Sequence, residues 1–425
     1  MIATERNRKQ RKASECYAVL KLLLSVAFFS FLWPSVAINC LYVIIFYMDY
    51  AFIENQKEFD ALVPKLAKQK FLALDTESNS LYVYKEQFCL LQLASEHINA
   101  VVDTLRVDIR PLLPVFADPK VEKILHSADS DIKVIKAAVG GTFENIFDVM
   151  LASKYLGMKK CGLESLVNEF FKVALNKKFQ KADWGRRPLT KEMLDYAITD
   201  VLYLYRLREL LAAQLSEKNR LQEIKDQFCQ LAKVEPVPFH FDGKDFLHLR
   251  SARQLNGRGL AVLRELYLAR EVAAIRRNVP SFKVISEDLM LRLAVAPREG
   301  LENPGIFKGI TNYVLANHGP WIREALQKGL KAPEVTFQKK EVSHEKRVYF
   351  ESIKTKFNVL KLWRKTTAAK RNMLPEAILG NDLLERIAFA SPRTVEEFKT
   401  IRGLGAEKLL IYAADILDFL KHHKA

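Results

Sequence analysis

The chain has 425 residues, 49% hydrophobic and 27% charged, so it can form two or three folded domains. Lys and Arg number 66 against 50 Asp and Glu, a net charge of +16 that fits either a solvated basic surface or a polyanionic partner such as nucleic acid. The five cysteines include no CxxC pair, which argues against a zinc module and a disulfide framework and favours a reducing, cytosolic setting.

The first 47 residues form a hydrophobic extension that differs from the rest of the chain. Residues 22–47 carry no charge, and the basic residues before them include Arg6, Arg8, Lys9, Arg11 and Lys12. Three interpretations are open: a membrane anchor, a signal peptide, and a misassigned start with translation from Met48. We favour the third, because a basic domain that acts on a polyanion has little use outside the cell. We therefore expect a cytoplasmic protein, with anchoring in the inner membrane through residues 22–47 as the alternative.

The pattern from residue 48 to 232 predicts an α/β domain with a mixed sheet. A short helix over Glu54–Ala67 comes before a strand at Phe71–Asp75, and two more strands follow at Phe88–Ala94 and Ile98–Val102. Their close spacing predicts an antiparallel meander. Later elements are a helix near Arg110–Phe116, a strand at Glu122–Leu125, a helix at Ser130–Val139, a strand near Asn145–Asp148, and helices through Met150–Leu156, Leu163–Phe170 and Lys191–Leu215.

Two copies of a small helical domain are predicted after a Pro-containing linker at residues 233–238. We place them at residues 247–330 and 346–425, with a polar, basic linker between them. The motif Arg277–Pro280 is echoed by Arg371–Pro375, and further pairs of segments keep the same offset of 94 to 95 residues. No convincing strand is predicted in this half of the chain.

Asp75 and Glu77 are the first candidates for chemistry, because they follow the apolar run Phe71–Leu74. Side chains at i and i+2 of a strand point to the same face, so the two carboxylates would lie together. Two adjacent anions repel each other and raise each other's pKa unless a cation lies between them. Carboxylate oxygens suit Mg²⁺ or Mn²⁺, so the pattern indicates a divalent metal site.

Two further motifs could complete such a site. Asp131 follows His126 by five positions and would lie in the first turn of a helix, with Asp129 as a competitor for the same role. Tyr196 and Asp200 are four residues apart, so they would share one helical face. Each motif alone has an ordinary explanation, since a first-turn Asp usually serves the helix dipole and a Tyr and Asp at this spacing usually mean nothing. The ordered set of three is much more specific.

The three motifs together resemble those of the DEDD-type 3′–5′ exonucleases. The tyrosine before the last aspartate is typical of the Tyr subclass, and the segment Asp183–Leu189 resembles the one that precedes the third motif in the ribonuclease D family. The helical copies resemble the helicase-and-ribonuclease-D C-terminal (HRDC) domain. The resemblance covers about Asp49–His423 and implies a ribonuclease-H-like exonuclease domain followed by two small all-α HRDC-type domains.

The resemblance also implies a two-metal mechanism that releases nucleoside 5′-monophosphates. Asp75 would bridge the two ions, Glu77 and Asp200 would complete one metal site, and Asp131 would hold the second ion. Tyr196 would orient the nucleophilic water. The implied cofactors are two Mg²⁺ or Mn²⁺ ions.

The implied partner is RNA, with tRNA precursors as the substrate and no obligate protein partner. Trp184, Arg187, Arg277 and Arg371 are candidate RNA contacts. The ordinary alternatives are a packed loop tryptophan and solvated arginines. Two other functions stay open: a 3′–5′ DNA exonuclease and a non-catalytic nucleic-acid-binding protein. The first stays open because no residue of the sequence indicates a contact to the 2′-OH that distinguishes RNA from DNA.

Overall fold

The computed structural model describes residues 49–336 and 343–423. The predicted anchor or misassigned start at residues 1–47 lies outside this part of the chain. Among the described helices, none combines the length and apolar character needed to span a bilayer.

A six-stranded mixed sheet forms the centre of the N-terminal half. Its strands are β1 Ala51–Ile53, β2 Phe71–Ser78, β3 Phe88–Ala94, β4 Asn99–Asp103, β5 Glu122–Leu125 and β6 Ile146–Asp148. They lie side by side in the order β1-β4-β3-β2-β5-β6. The central pairs β2–β3 and β3–β4 are antiparallel, and the outer pairs are parallel.

Helices cover both faces of the sheet. They are α1 Gln56–Leu66, α2 Leu113–Ala117, α3 Ala128–Val139, α4 Val149–Tyr155, α5 Leu163–Phe171, α6 Lys191–Leu202, α7 Leu204–Glu217 and α8 Leu221–Ala232. Alternation along β2 divides the core in two: Phe71 and Ala73 pack on one face with α6 and α7, whereas Leu72 and Leu74 pack on the other with α1 and α3. The face of β2 that carries its odd-numbered residues therefore packs against α6.

The predicted α/β class and the antiparallel meander are confirmed, and two strands, β3 and β5, have the predicted bounds. Strand β1 was not predicted, because its three residues are held by a parallel pairing with β4 about fifty positions away. The single helix predicted over Lys191–Leu215 is wrong, since the chain breaks at Tyr203 into α6 and α7.

The described residues of the C-terminal half form helices joined by loops, with no strand among them. Its helices are α9 Gly257–Arg277, α10 Ser281–Val284, α11 Glu287–Val295, α12 Pro297–Glu302, α13 Asn312–Lys331, α14 His344–Arg371, α15 Pro375–Ile378, α16 Asn381–Ala390, α17 Val395–Phe398 and α18 Ala406–His422. The long helices α9 and α14 both end at an asparagine with a left-handed backbone, Asn278 and Asn372. The starts of α10 and α15, of α11 and α16, and of α13 and α18 are each 94 residues apart. Both segments therefore repeat one order of elements.

The last helical domain packs against the sheet domain through a buried ion pair. Glu223 of α8 is 4% exposed and receives two hydrogen bonds from the guanidinium of Arg371, at 2.8 and 3.1 Å. The Tyr412 hydroxyl donates to the same carboxylate at 2.8 Å. Arg220 of the sheet domain donates to the backbone oxygen of Arg371. This interface fixes the final helical domain to α8.

Arg371→Ala is expected to lower the free energy of unfolding by ~3 kcal/mol, because the substitution leaves the Glu223 carboxylate buried without its cation. Urea unfolding followed by tryptophan fluorescence would measure the loss. The matched control is Lys370→Ala, since Lys370 is the exposed neighbour on the same helix. Equal stability of the two variants would contradict a structural role for Arg371.

Candidate active site

Strand β2 brings the first two carboxylates to one face of the sheet. Asp75 and Glu77 continue the side of β2 that carries Phe71 and Ala73, and both side chains are half-buried. The predicted alternation is therefore what the backbone provides. The strand pairs antiparallel with β3 through these positions, so Asp75 lies opposite Gln92.

Helix α6 supplies the next two functional groups from the same side. It begins after Thr190, whose hydroxyl accepts a hydrogen bond from the backbone N–H of Met193. Its inner face buries apolar residues against the sheet, and Tyr196 and Asp200 lie one turn apart at the edge of that face. Carboxylate oxygens of Asp75, Glu77 and Asp200 all lie within 4.8 Å of one another.

Asp131 reaches the cluster from the opposite face of β2. Its side chain is 5% exposed, and its Oδ1 accepts a hydrogen bond of 2.6 Å from the Thr76 hydroxyl. Asp148 holds the start of α3 in place, because its carboxylate accepts from the backbone N–H of Ala128 at 2.8 Å. The competing candidate Asp129 instead pairs with Lys133 on the exposed side of the helix, at 2.6 Å. The geometry favours Asp131 over Asp129.

Burial raises the pKa of all four carboxylates, and the charges of the other site carboxylates raise the pKa of Asp75 and Glu77 further. Burial raises the pKa of Asp75 well above its usual range, and the charges of Asp131 and Asp200 add to the effect. Burial together with Asp200 raises the pKa of Glu77 to about 9. The pKa of Asp131 and the pKa of Asp200 are each raised to about 7, again mainly by burial.

Within the described chain, no lysine, arginine or histidine forms a salt bridge with any of these carboxylates. Buried anions without a cationic partner are costly, and a divalent cation would remove that cost. The donor set is all oxygen, which fits a hard ion such as Mg²⁺ or Mn²⁺. The residues therefore fit the metal that the motifs imply.

Tyr196 stays protonated across the physiological range. Burial raises the pKa of its hydroxyl, and the charges of Asp200, Glu77 and Asp75 raise it further. Its ring lies 6.0 Å from the Trp184 ring and 5.9 Å from the Phe179 ring. A protonated phenol can donate a hydrogen bond to a water or substrate oxygen but cannot act as a general base.

A cavity of about 310 Å³ opens beside Tyr196 and Asp200. Its wall includes Lys178, Phe179 and Asn176 from the segment before α6. The Lys178 ammonium lies 5.0 Å from the centre of the Phe179 ring. A cation and an aromatic face next to an acidic cluster that could hold a metal suit a phosphorylated, planar ligand.

The structure corrects three of the four predicted RNA contacts. Trp184 is 1% exposed and packs in the core, so its indole cannot stack on a base. The guanidinium of Arg187 is bound to the buried carboxylate of Asp103, and that of Arg371 is bound to Glu223. Arg277 is exposed and contacts Tyr313 and His318, so the prediction for that residue stays open.

Sequence analysis missed the residues that support the site. Thr76 stands inside the first motif, but its bond to Asp131 links residues 55 positions apart. Tyr50 donates to Asp195 of α6 at 2.8 Å across 145 positions. Asp148 and Asp103 lie at strand ends, and nothing in their local pattern indicates these partners. The position of a polar side chain at a strand end could have marked Asp148 and Asp103 as candidates. That position does not indicate which residue each one contacts.

Comparisons with known proteins assign families to two parts of the chain. Residues 50–216 match the 3′–5′ exonuclease family, and residues 355–420 match the HRDC domain. The HRDC match falls on the second helical copy, so two HRDC domains are not confirmed.

Three similar proteins illustrate the likeness. Ribonuclease D of Granulibacter bethesdensis is 25% identical over 340 residues, which cover 79% of this chain and 85% of that protein. The catalytic core of RRP6 from Trypanosoma brucei is 25% identical, with a TM-score of 0.58 over 66% of this chain and 80% of that one. Escherichia coli RNase D has a TM-score of 0.61 over 88% of this chain and 99% of that one, at 21% identity, and so shows the shared fold.

Proposed function

Since residues 50–216 belong to the 3′–5′ exonuclease family and most of the chain aligns with ribonuclease D, we propose that this protein is a metal-dependent exoribonuclease. It hydrolyses the last phosphodiester bond at an RNA 3′ end and releases a nucleoside 5′-monophosphate. The observation that carries this proposal is the gathering of Asp75, Glu77 and Asp200 within 4.8 Å, with Asp131 hydrogen-bonded to the intervening Thr76.

The metal requirement follows from this cluster. Two divalent ions about 4 Å apart, when bound, stabilise both the attacking and the leaving oxygen of a phosphoryl displacement. Asp75 is the central ligand of our proposal, because the charges of Asp131, Asp200 and Glu77 all act on it. Glu77 and Asp200 complete one site, and Asp131 serves the second. Mg²⁺ and Mn²⁺ are the proposed ions.

In this proposal, Tyr196 and the cavity beside it position the substrate for hydrolysis. The Tyr196 hydroxyl donates a hydrogen bond that orients the attacking water beside the scissile phosphate. The cavity lined by Phe179 and Lys178 accepts the terminal nucleotide. The ring stacks on the base, and the Lys178 ammonium exchanges its ion pair with Glu192 for a phosphate oxygen.

The helical half would hold the body of the RNA. We propose that residues 247–330 form a second HRDC-like domain, because their helices repeat the order and the 94-residue offset of the matched one. Arg277, exposed at the end of α9, is the residue of this half that we propose to contact RNA. The proposed natural substrates are the 3′ ends of tRNA precursors.

A direct test compares tRNA-like RNA with single-stranded DNA of matched sequence, each labelled and incubated with the full chain and Mg²⁺. We expect faster removal of nucleotides from the RNA 3′ end. Equal or faster degradation of the DNA would replace the proposal with a DNA exonuclease. Binding of RNA without degradation of either polymer would replace it with a binding protein.

Tyr196→Phe is expected to reduce kcat by about 10- to 100-fold. The attacking oxygen becomes anionic as it loses its proton, and a hydrogen bond to a charged group contributes ~1.5–3 kcal/mol. KM and thermal stability should change little, since the ring and its packing remain. Single-turnover trimming of a labelled RNA would measure the loss. Tyr205→Phe is the matched control, because the Tyr205 hydroxyl bonds to Glu209, outside the carboxylate cluster. An equal loss in the control would contradict the assigned role.

A further inference from the structure

Arg187 lies in the segment that connects α5 to α6, and its guanidinium forms an ion pair inside the protein. Its Nε and Nη2 atoms donate to the two carboxylate oxygens of Asp103, each at 2.6 Å. Asp103 ends strand β4 and is fully buried, so it cannot contact RNA. The paired, planar geometry holds Arg187 in one orientation.

The same guanidinium fixes the backbone around Trp184. Its Nη1 donates to the backbone oxygen of Trp184 at 2.6 Å, and its Nη2 donates to that of Cys89 in β3 at 3.2 Å. The indole N–H of Trp184 donates to no acceptor among the described residues. The position of the indole therefore depends on packing and on this anchored backbone.

Trp184 in turn supports Tyr196. The two rings lie 6.0 Å apart at an angle of 31°, and Trp184 is 1% exposed beneath the site. The neighbouring Gly185 touches Asn79, which follows directly after the strand that carries Asp75 and Glu77, and a Cβ at Gly185 would meet the Asn79 amide nitrogen at 2.4 Å. The segment thus contacts both elements of the site.

We propose that Arg187, bound to Asp103, is a positioning residue that holds Trp184 against Tyr196 and so sets the direction of the Tyr196 hydroxyl. This inference rests on the proposed exonuclease function. It makes Arg187 a residue that acts through Tyr196, whereas a phosphate contact would act on RNA affinity. The two roles predict different kinetics.

The test combines Arg187→Gln with Tyr196→Phe in a double-mutant cycle, measured by single-turnover trimming of labelled RNA with Mg²⁺. Arg187→Gln alone is expected to lower kcat by about 10-fold, up to the loss caused by Tyr196→Phe. In the Tyr196→Phe background it should change kcat by less than about twofold, because the group it acts through is already gone. KM should stay within about twofold of the wild type.

Two further variants separate position from charge. Arg187→Lys keeps the charge but loses the two-pronged contact, so it should behave as Arg187→Gln does. Arg186→Gln removes a charge from the exposed neighbour and should leave kcat unchanged. Asp103→Asn changes the buried partner of Arg187 and should reproduce the kinetics of Arg187→Gln. If Arg187→Gln does not fold, Asp103→Asn takes its place in the cycle. A rise in KM with unchanged kcat, or additive losses in the cycle, would overturn the proposal.

A measurement without turnover keeps this test separate from the proposed function. With ¹³C-labelled tyrosine, the NMR signal of the Tyr196 ring can be assigned by its absence from Tyr196→Phe. The signal should shift in Arg187→Gln and stay in place in Arg186→Gln. If the wild type degrades no nucleic acid, the exonuclease proposal fails. The NMR signal still tests the positioning role: a shift in Arg187→Gln supports it, and an unshifted signal overturns it.

Discussion

Asp75→Asn is expected to reduce RNA trimming by at least about 10³-fold, which corresponds to ~4 kcal/mol of lost transition-state stabilisation. The reason is that Asp75 lies at the centre of the cluster, where the charges of three other carboxylates act on it. Initial rates of nucleotide release at saturating Mg²⁺ would measure the effect. The matched control is Asp129→Asn, since that carboxylate lies nearby on α3 but pairs with Lys133 in solvent.

The same substitution should stabilise the metal-free protein. Asp75→Asn removes one of several buried, repelling carboxylates, so the thermal midpoint above neutral pH should rise by roughly 2–4 °C. A variant that loses both activity and stability would point to a structural role for Asp75. An active variant, or an Asp129→Asn variant with equal loss, would contradict the proposed ligand set.

Removal of divalent metal by EDTA is expected to abolish trimming, and added Mg²⁺ or Mn²⁺ should restore it. The same carboxylates determine how the stability of the metal-free protein responds to pH. Folding raises the pKa of Asp131 and of Asp200 to about 7 and that of Glu77 to about 9, above the ordinary value of roughly 4 for an unfolded chain. Between these values the folded state binds more protons, so stability falls as pH rises from about 4 to about 9.

Metal binding displaces those protons, so the stabilisation that Mn²⁺ provides should grow over the same pH range. Thermal unfolding with and without Mn²⁺, at about pH 6 and about pH 9, would measure both effects. The pH dependence should become weaker in Asp75→Asn. A metal-free protein whose stability rises with pH through this range would contradict the proton affinities assigned to the cluster.

Local rules predicted the core of the site. Asp75 and Glu77 share a face because strand side chains alternate, and Tyr196 and Asp200 share a face because a helix turns once in 3.6 residues. These rules depend on neighbouring residues alone, so the sequence contains all that is needed. The strand bounds Phe88–Ala94 and Glu122–Leu125 follow in the same way from apolar runs limited by polar residues.

Contacts between distant residues could not be predicted by such rules. Arg187 forms an ion pair with Asp103, 84 positions away in the sequence, and Arg371 forms one with Glu223, 148 positions away. An arginine in a basic chain looks solvated until its partner is known, which is why both were predicted to contact RNA. Trp184 was predicted to stack on a base for the same reason, since burial in a loop depends on the tertiary fold.

The duplicated helical half shows an intermediate case. A constant offset between motifs such as Arg277–Pro280 and Arg371–Pro375 predicted two copies, and the next two helices of each copy, α10 and α11 and then α15 and α16, begin 94 residues apart. The sequence could not show that the second copy packs on α8 through Glu223, because that contact joins different domains. Similarity of the copies therefore does not extend to their surroundings.

Analysis of the products from a 5′-labelled RNA, incubated with the protein and Mg²⁺, tests the central claim most directly. We expect a ladder that shortens one nucleotide at a time from the 3′ end, with nucleoside 5′-monophosphates released and no shortening in EDTA. Internal cleavage, release of 3′-monophosphates, or degradation that continues without a divalent ion would contradict it.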